Sequence, residues 1–144
     1  MPTMARRVGP GSLKKGGYSL SMGSLVVFSV DVRRLAAFYE AVLELGPTYE
    51  RSGDIRLLSD REEVLIHSIP AGIAKVIEIR IPPEPRDGSA LKPVFDVGSL
   101  EVALHEVRTR GGVDTGRTFS IDGLTRHDVL DPDGNVIQLR CRNP

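Results

Sequence analysis

The chain has 144 residues, 40% hydrophobic and 26% charged, with 19 basic and 19 acidic side chains and a net charge of zero. That length suits one domain with its own core, and the balanced charge lacks the electrostatic footprint of a nucleic-acid or anionic-membrane binder. The single cysteine, Cys141, cannot form an internal disulfide, and no apolar run approaches the ~20 residues of a membrane span, so a cytoplasmic protein with neither of those partners is expected.

Residues 1–23 carry Arg6, Arg7, Lys14 and Lys15 without an acid, spaced by Gly, Ser and Pro, which predicts a disordered basic leader. Residues 24–30 (SLVVFSV) form a β-branched apolar run of strand length, and Asp31 is suited to cap a helix. Val32, Leu35, Ala36, Tyr39, Val42 and Leu43 then recur every three or four residues, predicting an amphipathic helix that Gly46 stops. PTYERS, DIRLLSD and EVLIHSI read as three strands, the first two joined by a turn at Ser52-Gly53-Asp54. The order is βαβββ.

The second half repeats it. LKPVFDV (91–97) reads as a strand, Gly98-Ser99 opens a helix through Leu100, Ala103, Leu104 and Val107, and Gly111-Gly112 closes it. VDTGRTFS, LTRHDVL and NVIQLRC are three further strands, the last two joined by Asp131-Pro132-Asp133-Gly134-Asn135. VVFSV (26–30) and PVFDV (93–97) begin the two copies in nearly the same letters, which points to duplication. Between them lies a connector, residues 70–90. Its VIEIRI (76–81) alternates like a strand, whereas PPEPRDG lacks the donors of one. The connector either crosses the outside or mouth of the sheet or supplies an edge strand for a dimer contact.

VVFSVDVRRLAAFYEAVLEL, with its Phe38-Tyr39 pair, and DPDGNVIQL resemble the opening strand and helix and the closing turn and strand of the vicinal oxygen chelate superfamily. That group holds glyoxalase I, extradiol dioxygenases, and fosfomycin and bleomycin resistance proteins. The resemblance covers residues 24–142 and implies an α+β fold: two tandem βαβββ units, 24–69 and 91–142, forming an open, curved mixed sheet around one small-molecule cavity. In the metal-using relatives the ligands come from the first and last strands of each unit. Here those positions fall on Ser24 or Leu25, near His67, near Lys92, and on Gln138. Lysine is an unsuitable ligand while protonated and an uncharged amide binds weakly, whereas zinc and iron sites take three or four protein ligands. The resemblance implies a glyoxalase-like domain, and these departures from the family's ligand pattern predict that it has lost the metal and needs no other cofactor.

His67 alternates with Leu65 and Ile69 in a strand apolar on both faces, so it is either a cavity-wall residue or a ligand-binding or proton-transfer group. Lys92 shares a face with Val94 and Asp96, and Gln138 with Val136 and Arg140; with the family's geometry both point into one cavity. Arg86, on the connector, is placed either to make an exposed salt bridge, the commoner outcome, or to clamp an anion at the cavity mouth. His67, Lys92, Gln138 and Arg86 are thus the candidate ligand-binding residues, and no catalytic residue is assigned. Tyr39 is expected to pack the helix on the sheet, His105 to be solvated, His127 to lie outside the pocket, and Cys141 to have no catalytic role. The leading functional reading is a metal-free, homodimeric protein of the bleomycin-resistance type that binds a polar or anionic small molecule. The alternative is a lyase or dioxygenase whose divalent zinc, nickel or iron is held by His67 and Gln138, and a third reading makes His67 a metal-free general base.

Overall fold

A computed structural model describes residues 23–86 and 88–144, so the expected basic leader lies outside the described residues apart from Gly23. The first unit runs β1 (Gly23–Ser29), α1 (Val32–Leu43), β2 (Gly46–Arg51), β3 (Asp54–Leu58) and β4 (Glu62–Ser68). The connector holds a short helix, α2 (Ala71–Ala74). The second unit runs β5 (Val94–Asp96), α3 (Leu100–Thr109), β6 (Val113–Ile121), β7 (Leu124–Leu130) and β8 (Val136–Arg142). This is the duplicated βαβββ order, and it builds two four-stranded mixed sheets, ordered β1-β4-β3-β2 and β5-β8-β7-β6. In each, the first strand of the unit lies parallel to the last, and the remaining pairs are antiparallel.

Local chemistry explains the helix ends. Asp31 accepts the Arg34 N–H at 3.2 Å and Ser99 accepts that of Val102 at 3.3 Å, each satisfying an orphan donor of the first turn. The helix α1 stops at Leu43, before the expected Gly46, because Glu44 itself takes the left-handed conformation with φ 54°. Gly46 instead begins β2. The segment VIEIRI forms no strand; its alternation is not matched by any partner edge among the described residues, and Val76 and Ile81 point to solvent.

The helix α1 buries Leu35, Ala36, Tyr39, Val42 and Leu43, the predicted stripe, and also Phe38. The wider stripe follows from its position, because α1 packs on β3 and β4 and also on α3 of the second unit. Gly112, at the end of α3, leaves room for the Phe38 ring: a Cβ there would sit 2.6 Å from Phe38 Cε2. Ile55, Leu57, Val64 and Ile66 from the first sheet and Phe95, Val129, Ile137 and Leu139 from the second complete one continuous core.

The repeat in letters is not the repeat in space. VVFSV and PVFDV align Phe28 with Phe95, yet Phe28 is 60% exposed and Phe95 6%. The letter match slips by one residue relative to the caps Asp31 and Ser99, and one residue along a strand reverses the face. The spatial equivalents are Val26 with Val94 and Phe28 with Asp96.

Candidate functional site

Each sheet turns one face to the helices and leaves the other open. Cross-strand partners place Ser24, Val26 and Phe28 beside Glu63, Leu65 and His67 on the open face of the first sheet. In the second, Val94 and Asp96 stand beside Gln138 and Arg140, which in turn oppose Asp128 and Arg126. The cavities of the described residues include a groove along α1 and α3 and a space of about 170 Å³ at the seam between β1, the connector and the start of β8. His67, Lys92, Gln138 and Arg86 line neither of them.

The structure does bring Lys92 and Gln138 together, through a residue the sequence did not single out. Lys92 Nζ donates to Asp128 Oδ2 at 2.8 Å, and Gln138 Nε2 donates to Asp128 Oδ1 at 3.0 Å. Arg126 then donates to Gln138 Oε1 at 3.0 Å. Asp128 and Gln138 are buried, whereas the Lys92 side chain is 42% exposed. Burial pushes the Asp128 carboxyl up, but the bonds from Lys92 and Gln138 and the nearby charges of Lys92 and Arg117 outweigh it and hold it below its usual value. Lys92 and Arg117 thus flank one buried carboxylate, and Arg126 stands beyond the Gln138 amide.

His67 belongs to a different cluster on the first sheet. Its Nδ1 lies 2.7 Å from Asp54 Oδ2, while Asp54 Oδ1 accepts the Ser68 N–H at 3.1 Å. That backbone bond first, and His67 second, lower the Asp54 carboxyl from its ordinary value. Phe28 stacks on the imidazole with ring centres 5.6 Å apart. The turn Ser52-Gly53, with both φ values positive, reverses the chain so that Asp54 starts β3 opposite His67's strand. Asp54 was legible only as a turn residue, since its partner comes from another strand.

Arg86 lies against the turn between the last two strands. Its backbone N–H donates to Gly134 O and its Nε to Asp133 O, both at 3.0 Å, so it fastens the connector to the β7–β8 turn. His127 is buried and paired with Asp114, away from the open face, and His105 is exposed on α3. Cys141 is a free thiol.

The four positions at which the resembled family holds a metal can now be placed. With Val26 and Val94 equivalent, their neighbours Leu65 and Gln138 are equivalent too, so His67 lies two residues beyond the position assigned to it. The set becomes Ser24, Leu65, Lys92 and Gln138. Ser24 donates to Glu63 at 2.7 Å, Leu65 has no donor atom, and Lys92 and Gln138 are committed to Asp128. Among the described residues no three His, Cys, Asp or Glu side chains converge on a point that would hold an ion. This donor set does not fit the family's metal.

The arrangement of two βαβββ units defines the glyoxalase-like fold class. Among solved structures, the chain is similar to a glyoxalase/bleomycin resistance protein from Albidiferax ferrireducens, with 21% identity and a TM-score of 0.61 over 83% of this chain and 96% of that one. A glyoxalase/bleomycin resistance protein/dioxygenase family enzyme from Burkholderia phytofirmans shows 16% identity and a TM-score of 0.63 over the same shares. A fosfomycin resistance protein from Mesorhizobium loti shows 16% identity and a TM-score of 0.55, covering 85% of this chain and 91% of that one. At these identities the likeness shows the fold. No protein-family model and no curated protein matches the chain.

Proposed function

We propose that this chain is a small-molecule-binding protein of the glyoxalase/bleomycin resistance/dioxygenase superfamily, that its ligand is polar or anionic, and that binding needs no metal. The observation that carries this reading is the Lys92–Asp128–Gln138–Arg126 chain of hydrogen bonds. It fills two of the fold's ligand positions with a cationic cluster whose exposed end, Lys92, can meet an anion without a new charge being buried. The reading includes a homodimer. Val26 on one open face and Val94 on the other are 48% and 41% exposed, and a second copy laid on these faces would cover them and enclose a pocket.

Native mass spectrometry of protein purified without chelator tests all parts together. The expected result is a dimer with substoichiometric metal, and calorimetry with zinc, nickel and iron(II) then shows no tight binding. A stoichiometric ion, lost on Gln138→Ala, would overturn the metal-free reading. A chain that stays monomeric at micromolar concentration would overturn the dimer.

A further inference from the structure

The first sheet carries an arrangement that small-molecule binding on the second does not use. Asp54 Oδ2 holds Nδ1 of His67 at 2.7 Å, and Phe28 lies against one ring face. Among the described residues Nε2 of His67 has no hydrogen-bond partner, and the side chain is 35% exposed on the open face. A carboxylate at Nδ1 puts the neutral ring's proton there and leaves the lone pair on Nε2. The same carboxylate stabilises the imidazolium once Nε2 has taken a proton. His127 has a carboxylate partner too, but it is buried on the core side, so its pairing serves packing.

We propose that Asp54, His67 and Phe28 form a metal-independent general-base centre that removes a proton from flat aromatic carbon acids. His67 is the base, Asp54 the positioning residue that sets its tautomer, and the exposed Phe28 ring the platform on which a planar substrate stacks. The centre stands apart from the Lys92–Asp128 cluster and goes beyond the binding role proposed above.

The probe is 5-nitrobenzisoxazole, a planar carbon acid whose ring opens on loss of one proton. His67 Nε2 takes the ring C–H proton, the C–H pair forms the nitrile, and the N–O bond breaks with its pair left on oxygen as phenolate. The imidazolium then gives its proton to water, so no co-reactant is needed. The full chain is assayed in EDTA against His67→Ala, His67→Gln and free imidazole, with His105→Ala as a control for surface histidine and circular dichroism to confirm folding. Expected is a saturable rate with kcat/KM about 100-fold or more above both His67 variants, unchanged in His105→Ala. Phe28→Ala should raise KM several-fold, about 3–10 times, with kcat nearly kept. Nitrogen-15 NMR should find the neutral imidazole protonated at Nδ1, and Asp54→Asn should shift the tautomer and lower kcat about 10-fold or more. A wild-type rate no higher than that of His67→Ala, or a proton resident on Nε2, overturns the proposal. Neither outcome bears on the ligand or metal content read by native mass spectrometry.

Discussion

The phenol of Tyr39, on the helix of the first unit, donates a 2.7 Å hydrogen bond to Asp131, 92 residues later in the β7–β8 turn of the second. Both residues are buried. Asp131 also accepts the N–H groups of Asp133 and Asn135 and the Asn135 amide, so one carboxylate organises the turn and ties it to α1. The DPDGN motif is therefore a latch between units as well as a hairpin turn.

Tyr39→Phe should lower stability by about 1–3 kcal/mol, because it leaves a buried acceptor short of a donor. Burial raises the Asp131 carboxyl, opposed by the hydrogen bonds it accepts. A raised folded value makes this group's contribution largest below the ordinary carboxyl range, and the contribution is lost as pH rises through the folded value. Without Tyr39 the carboxyl rises further, so the penalty should be larger at pH 7 than at pH 4. Urea unfolding at the two pH values measures it.

Gly134→Ala should detach the connector. Gly134 has φ +85°, and a Cβ there would strike the carbonyl oxygen of Glu84. The conformational cost alone is about 1–2 kcal/mol, and the clash also strains the Arg86 N–H to Gly134 O bond. The expected readout is faster tryptic cleavage at Arg80 and Arg86 with a lower unfolding midpoint.

Lys92→Met should change how stability depends on acid. Asp128 is held below its usual value, so its contribution is present above the ordinary carboxyl range and is lost as pH falls through the folded value. The variant should melt below the wild type at pH 7, and the two should converge below about pH 3. Thermal melts across that range test this, and a constant difference would contradict it.

Val26→Ser tests the proposed pairing of open faces. Because Val26 is 48% exposed in the single chain, its loss should move monomer stability by no more than about 0.5 kcal/mol. Sedimentation should nonetheless show a weaker dimer.

The sequence by itself determined the duplicated βαβββ order, the caps Asp31 and Ser99, and the tight turn at Asp131–Asn135. Each depends on neighbours a few residues away, through helical or strand periodicity and side-chain bonds to the local backbone. Lys92 and Gln138 were legible as one cluster only through the family resemblance. Tertiary structure alone decided that Asp128 joins them, that Asp54 holds His67, and that Arg86 fastens a turn, since these pairs meet across strands or across the connector. It also decided that Phe28 faces outward while Phe95 is buried. Strand letters repeat with period two, so a match that slips by one residue looks like a repeat yet turns every side chain to the opposite face, and only the pairing register fixes which face is which.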